Sequence, residues 1–219
     1  MKKLILSIFI TLILFACGTI STQTWKKEFQ RENLPVRELR VVAVLDEDSR
    51  DYKAMVSWAS ELVERASDLL KEQVGIALKI VRWEQIKWKN RDWYSEGGKG
   101  IKMMRQLQEQ LWPDLYSKTD FDIAIAFPGR TLEEENQMQR LPKGKLISLG
   151  MTDGAFKRFI ILRFDAYTLV HEVFHCFLFS KVHEEKGIMK AKESIYLYLT
   201  PESRQEVLRN KWRSFDERP

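Results

Sequence analysis

Residues 171–189 read HEVFHCFLFSKVHEEKGIM and contain every histidine of the chain. Their first five positions form the pattern His-Glu-x-x-His, with His171 and His175 four residues apart. On a helix, positions i and i+4 lie on the same face, so both imidazoles can bind one metal ion. Glu172 lies between them, where its carboxylate can reach a water molecule on that ion. The pattern predicts a metal site on a helix, with zinc as the expected ion.

The apolar surroundings of the motif favour a real site over a chance pattern. Val173, Phe174 and Phe177 make the predicted helix apolar nearly all round. Two histidines and a glutamate in such a helix would be costly to bury without partners. A bound metal ion removes that cost, whereas a pattern that arose by chance leaves it in place.

His183 is the preferred third ligand, because a catalytic zinc site needs three protein ligands and one open position. On an unbroken helix His183 would lie about 12 Å further along the axis than His175, too far to share the ion. The chain must therefore leave the helix within residues 177–182 and turn back. We expect this exit at Ser180-Lys181.

A carboxylate is the alternative third ligand, since zinc also binds carboxylate oxygens. Glu193, which follows in a later segment, could serve in this way. Glu184 and Glu185 are closer in the chain and are further candidates. Cys176 is expected to be a small buried apolar residue, with a ligand role as its alternative.

The stretch resembles the metzincin metallopeptidases, whose motif is H-E-x-x-H-x-x-G-x-x-H followed by a tight turn with a methionine. Gly187, Ile188 and Met189 form a glycine-led turn that ends in methionine. This resemblance implies a zinc-dependent endopeptidase that acts on peptides or proteins. It implies zinc ligands at His171, His175 and His183, the general base at Glu172 and the Met-turn residue at Met189.

The chain departs from the metzincin pattern in the spacing after the second histidine. Leu178 stands at the position of the family's glycine, and Lys181 stands where the third histidine is usual. His183 follows two residues later. We therefore expect either a longer helix or a different turn before His183.

The N-terminus has the composition of a targeting segment, which we assign to residues 1–16. Lys2 and Lys3 form a basic start, and an apolar run follows that is too short to span a bilayer. The segment ends in LFAC at Cys17, which resembles the lipobox of bacterial lipoproteins. This resemblance implies acylation of Cys17, for example by palmitate, and anchoring in a membrane of the bacterial cell envelope. The alternative is an ordinary cleaved signal peptide with a chance cysteine.

The remaining chain is divided into a polar tether, residues 17–38, and one catalytic domain, residues 39–219. The apolar fraction of 44% suits one globular core. The formal charge of +5 falls to +3 without Lys2 and Lys3, which is too small and scattered to indicate nucleic-acid binding. We expect a monomer whose partners are the membrane and a peptide substrate.

The order of the predicted elements indicates an α/β arrangement of two or three layers. The metzincin resemblance implies an α+β fold with a twisted mixed sheet and long helices, including the active-site helix. The predicted strands cover residues 40–45, 76–83, 121–127, 146–149 and 159–164. The predicted helices cover residues 52–73 and 101–115, the motif helix capped by Asp165 or Thr168, and 201–212 capped by Thr200. By the metzincin resemblance, strand 159–164 would be an edge strand that binds an extended peptide.

A second class of function stays open at this point. A lipoprotein could keep the same fold, or the same metal, for binding or for envelope structure without catalysis. Zinc content together with peptide turnover separates the two classes.

Overall fold

The computed structural model describes residues 33–49, 51–89, 100–113, 119–129, 150–162, 165–180, 183–190 and 197–216. Within these ranges the chain forms five strands and four helices. In chain order they are β1 (Arg37–Asp46), α1 (Tyr52–Val74), β2 (Ile76–Ile86), α2 (Ile101–Leu111), β3 (Ile123–Phe127), β4 (Gly150–Thr152), β5 (Phe159–Leu162), α3 (Ala166–His175) and α4 (Pro201–Asn210). None of these helices is both long and apolar enough to cross a membrane.

The long helix α1 has the ends that its sequence predicts. Asp51 is the N-cap, and its side chain accepts a hydrogen bond from the Ala54 amide at 3.0 Å. Gly75 ends the helix in the left-handed conformation at φ 67°, which glycine adopts without a steric penalty. The chain then enters β2 directly, so α1 packs against the strand pair that it connects.

The sheet is mixed, as predicted, and most of its pairs are parallel. Its strand order is β2-β1-β3-β5-β4. The pairs β1–β2, β1–β3 and β3–β5 are parallel, while β4 and β5 are antiparallel. The alternation of β1, α1, β2, α2 and β3 gives this half of the molecule the α/β character that the order of predicted elements indicated, rather than the α+β segregation that the metzincin resemblance implied.

The edge strand implied by the metzincin resemblance was wrong. Strand β5, predicted as residues 159–164, lies between β3 and β4 rather than at the edge. All four of its residues are buried, as expected for the continuous apolar run FIIL in an internal strand. Among the described strands the short β4 is at this end of the sheet. The strand predicted at residues 146–149 lies outside the described residues.

The side chains of the sheet pack into two hydrophobic clusters, one on each face. On one face β1 contributes Leu39, Val41 and Leu45 to a cluster shared with α1, α3 and α4. On the other face the alternate residues Val42 and Val44 pack with α2. This period-two alternation places the sheet between two helical layers. The helix that carries His-Glu-x-x-His therefore lies beside α1 and α4.

Two helices are shorter than predicted. Helix α2 ends at Leu111, because Pro113 cannot continue the backbone hydrogen bonds and disfavours helical geometry just before it. Helix α3 has only 10 residues and ends at His175, so the active-site helix is not long. The predicted exit at Ser180-Lys181 is wrong, since the helix ends directly after the second histidine of the motif.

Candidate metal centre

Helix α3 places the first two histidines side by side. Asp165 is its N-cap and accepts a hydrogen bond from the Thr168 amide at 2.8 Å, so Asp165 rather than Thr168 is the capping residue. Apolar residues of α3 anchor the helix in the core on both sides of the motif. His171 and His175 are one turn apart, and their Nε2 atoms are 3.0 Å from each other.

His183 returns to this pair. One ligand atom of each of His171, His175 and His183 lies within 4.8 Å of the others. The His183 ring centroid lies 5.4 Å from that of His171 and 5.1 Å from that of His175. His183 is exposed, whereas the other two histidines are half-buried. The described residues thus bring together the three histidines that the sequence analysis selected.

The exit from α3 differs from the glycine turn of the metzincin pattern. The amides of Cys176 and Phe177 donate to the carbonyls of Val173 and Phe174, three residues earlier, so the last turn is tight. Among the residues with described backbone, Lys157 is the one non-glycine residue with positive φ. Leu178 therefore makes the exit in an ordinary conformation and does not need the left-handed geometry that favours glycine.

The turn after His183 contacts the first histidine. Gly187 has φ 78°, and a Cβ atom there would lie 3.2 Å from the Tyr198 carbonyl oxygen. This left-handed residue aims the Ile188 carbonyl at His171, whose Nδ1 lies 2.7 Å from the carbonyl oxygen. With Nδ1–H donating to this carbonyl, the lone pair of His171 Nε2 faces His175. Met189 follows in the turn and is fully buried.

Glu172 is buried at 6% exposure and is held by the edge strand. Thr152 Oγ1 lies 2.7 Å from Glu172 Oε2 and 2.8 Å from the Glu172 carbonyl oxygen. A Cβ atom on Gly150 would lie 2.7 Å from Glu172 Cγ, so only glycine leaves room for this side chain. Burial raises the pKa of Glu172 to about 7, although the hydrogen bonds from Thr152 oppose the shift.

The environment of the histidines favours their neutral form. Burial is the first cause in each case and lowers the pKa of His171, His175 and His183. The pKa of His175 falls to about 3, because the other two imidazoles and Lys157 also disfavour its charge. Neutral imidazole is the form that binds a metal ion, so at neutral pH the three side chains are in the protonation state that ligation requires.

The donor set fits a zinc ion. At Zn–N distances of 2.0–2.1 Å, two tetrahedral ligand nitrogens lie roughly 3.3 Å apart. The observed separation of 3.0 Å between the Nε2 atoms of His171 and His175 is close to this value. Three imidazoles leave the fourth position of a tetrahedral ion open for water or substrate.

The other candidates occupy other places. The Glu184 carboxylate accepts hydrogen bonds from Ser203 Oγ at 2.5 Å and Thr200 Oγ1 at 2.9 Å at the start of α4. It is therefore bound to α4 and is not part of the histidine group. Cys176 is buried, as expected, and is not part of the histidine group. Glu193 and Cys17 lie outside the described residues.

Sequence reasoning missed Gly150 and Thr152, although one signal for them exists. Glycine inside a strand often marks a close approach of another group, which is the situation of Gly150 beside Glu172. Neither residue is near the motif in the chain, and Thr152 carries no distinguishing pattern. Their roles become visible only when β4 is placed beside α3.

Comparison with known proteins gives a structural match but no sequence match. No protein-family model and no curated protein matches the chain. The crystal structure of archaemetzincin from Methanopyrus kandleri matches with a TM-score of 0.51 and 16% sequence identity. The match covers 80% of this chain and 97% of that chain.

The fold resembles that of archaemetzincin. At this sequence identity the likeness shows the architecture alone, which is a mixed α/β fold similar to that of archaemetzincin with a mostly parallel five-stranded sheet. The histidine group comes from this chain's own geometry and is independent of that comparison.

Proposed function

We propose that this protein is a zinc-dependent endopeptidase. His171, His175 and His183 would hold the ion, and Glu172 would act as the general base. The observation that carries the proposal is the convergence of three imidazoles from α3 and the returning chain, directly beside a buried glutamate. The archaemetzincin-like fold supports it as well.

The chemistry assigns a separate task to each part of the site. Zinc in this site supplies a Lewis acid that polarises a carbonyl and lowers the pKa of water. Glu172 accepts the proton of the attacking water and passes it to the leaving amine. Thr152 and Gly150 restrict the carboxylate to one place, so the base is positioned before substrate arrives. Met189 would support the ligands from below as the Met-turn residue.

An extended peptide would bind along β4. Strand β4 is the last in the order of the described strands, and strand addition through backbone hydrogen bonds is a recurring mode of peptide binding. Such a peptide would pass the Glu172 side chain, because Gly150 and Thr152 of β4 contact it. This strand replaces β5 in the role that the sequence analysis gave to residues 159–164.

The place of action is proposed from the sequence. Residues 1–16 would be a lipoprotein signal peptide, and lipidated Cys17 would anchor the domain in the bacterial cell envelope through residues 17–38. The catalytic domain would start at residue 39, although β1 already begins at Arg37. A monomer suffices for this function, since one chain provides all the proposed ligands.

The test combines metal content with turnover. We expect about one zinc per chain by elemental analysis and cleavage of a broad peptide library. Glu172→Gln should retain the zinc and lower kcat by at least 10²-fold, as expected when a general base is lost. Glu202→Gln, which changes an exposed glutamate at the start of α4, serves as the matched control and should leave both quantities unchanged.

Two results would contradict the proposal. Zinc-loaded protein without turnover on any peptide of the library would favour the non-catalytic binding lipoprotein. Zinc binding that survives His183→Ala but fails in Glu193→Ala would transfer the third ligand to the carboxylate.

A further inference from the structure

The segment that leaves α3 starts at the last helical residue, His175, and continues to Ser180. It is called the exit segment below. It needs support because a helix end leaves its last carbonyls without partners. We propose that four side chains, the exit cluster, hold this segment on one path and thereby position His183. The exit cluster consists of Lys157, Glu206, Asn210 and Arg213. This inference rests on the proposed metal site, because it explains how the third ligand reaches the ion.

The first four carbonyls of the exit segment receive side-chain donors. Lys157 Nζ lies 2.6 Å from the Leu178 oxygen and 3.3 Å from the His175 oxygen. The Arg213 guanidinium donates to the Cys176 oxygen at 2.8 Å, and Asn210 Nδ2 donates to the Phe177 oxygen at 2.8 Å. Four consecutive carbonyls are thus bound by three side chains that come from outside α3.

The last two amides of the exit segment donate to one carboxylate. Glu206 Oε1 accepts hydrogen bonds from the Phe179 amide at 2.6 Å and the Ser180 amide at 2.8 Å. Glu206 Oε2 accepts the Ser180 hydroxyl as well. Glu206 is buried at 8% exposure, so these charge-assisted bonds are shielded from water. The path of the chain at Ser180, immediately before the return to His183, is therefore fixed by α4.

The spacing within the exit cluster explains how one element does this. Glu206, Asn210 and Arg213 are four and three residues apart, which places them on one face of α4 and its continuing turn. From that face Glu206 binds amides of the exit segment, and Asn210 and Arg213 bind its carbonyls. Local sequence around the motif contains none of these residues, and the metzincin glycine is replaced by this long-range contact.

Lys157 provides a second, independent observation. It has φ 52°, a left-handed conformation that is unfavourable for a lysine. In this conformation the lysine sends its Nζ atom to the end of α3. Lys157 Nζ and the Arg213 guanidinium each lie 5.4 Å from the Phe179 ring, so the exit segment is also held through its aromatic side chain.

The test measures zinc affinity in a double-mutant cycle rather than activity. Zinc Kd is determined by competition with a chromogenic chelator for the wild type, Glu206→Ala, His183→Ala and the double variant. Because Glu206 acts through His183, we expect Glu206→Ala to weaken zinc binding by about 10- to 100-fold in the wild-type background, the usual range for groups that orient ligands. In the His183→Ala background the same substitution should have no effect.

Controls separate positioning from general destabilisation. Glu202→Gln changes an exposed glutamate of the same helix and should leave the zinc Kd unchanged. Glu206→Gln retains an oxygen for the two amides and should fall between Glu206→Ala and the wild type. Asn210→Ala keeps Glu206 and should weaken binding less. Circular dichroism at the assay temperature establishes whether each variant is folded. If Glu206→Ala is unfolded, Glu206→Gln and Asn210→Ala replace it in the comparison of zinc Kd.

Each outcome decides one of the two proposals. If the wild type binds no zinc, the proposed function fails. If the wild type binds zinc through His183 but folded Glu206 variants bind it equally well, the positioning inference fails alone. Equal weakening by Glu206→Ala in both backgrounds would also overturn it, since the effect would then not pass through His183.

Discussion

At the scale of single residues, Glu172 is confined more tightly than the motif itself requires. The side chain lies between Thr152, which donates to its carboxylate, and the bare Cα of Gly150. The base and the strand proposed to bind the peptide are therefore in direct contact. A change in β4 should affect proton transfer without touching any zinc ligand.

Gly150→Ala should test this contact. The added methyl group would lie 2.7 Å from Glu172 Cγ and 2.8 Å from Oε1, so the carboxylate must move. We expect kcat to fall by at least 10-fold with zinc content unchanged, and the stability to fall by about 1–3 kcal/mol, as for other overpacked sites. Kinetics and urea denaturation measure the two effects.

Gly154→Ala is the matched control, because nothing lies within 4 Å of its added methyl group. It should leave kcat unchanged. Normal kcat in folded Gly150→Ala would show that Glu172 is not the proton acceptor or that it has room to adjust.

The residues that carry chemistry could be predicted as far as their chain spacing is local. His171, Glu172 and His175 follow from helical periodicity alone. His183 could be named but not placed, because its position depends on how the helix ends. Gly150 could not be recognised as a partner of Glu172, since only the tertiary packing of β4 on α3 brings the two together.

At the scale of elements, α3 depends on its ends because it has only 10 residues. An isolated helix of this length is marginal in water, so caps and packing must stabilise it. Asp165→Ala removes the N-cap and should lower the free energy of unfolding by about 1 kcal/mol, as measured by urea denaturation.

Asp165→Asn should retain most of the stability, because asparagine also accepts from the Thr168 amide. Asp51→Ala, which removes the equivalent cap of the long helix α1, provides a second comparison. A larger loss for Asp51→Ala than for Asp165→Ala would contradict the view that the short helix depends more on its cap.

The elements also show why helix ends were predicted less well than helix starts. Asp165 and Thr200 are local caps that the sequence displays, and both accept the expected amide hydrogen bond. The end of α3 carries no such signal, because apolar residues continue through Phe179. It is set instead by side chains such as Glu206 and Arg213, which are distant in the chain.

At the scale of the whole molecule, Glu206 connects α4 through its charge to the chain that leads to the proposed metal centre. Burial raises the pKa of Glu206, but hydrogen bonds from Ser180 and Phe179 and the nearby charge of Arg209 lower it more, and the net shift is downward from 4.5. Lys157 faces the same carboxylate from the β4–β5 connection.

The sign of this shift gives a pH dependence. A carboxyl group with a lowered pKa stabilises the fold above its unfolded value of 4.5, and this contribution is lost as the pH falls through the folded pKa. The difference in unfolding free energy between the wild type and Glu206→Gln should therefore shrink from pH 7 towards pH 3. Chemical denaturation at several pH values measures it. A difference that grew on acidification would refute the assignment.

The overall architecture was predictable in its order of elements but not in its strand neighbours. Strands β1, β2, β3 and β5 and the helices between them follow from periodicity and turn residues. The position of β5 inside the sheet depends on pairing with β3, which sequence periodicity does not specify. The likeness to archaemetzincin supplies the same architecture at 16% identity, so packing rather than sequence identity is what the two chains share.

Because Cys176 is buried, the rate at which its thiol is labelled can report how fast the proposed metal centre opens. Its thiol is fully buried at the end of α3, where Sγ lies 3.7 Å from the Glu172 carbonyl oxygen, and burial raises its pKa far above the usual range. With Cys17→Ser in place it is the sole cysteine of the chain. A thiol reagent should thus modify the folded protein only as fast as the end of α3 detaches, and modification should be faster after zinc is chelated. Rapid labelling of the zinc-loaded protein would mean that the end of α3 detaches often even when zinc is bound.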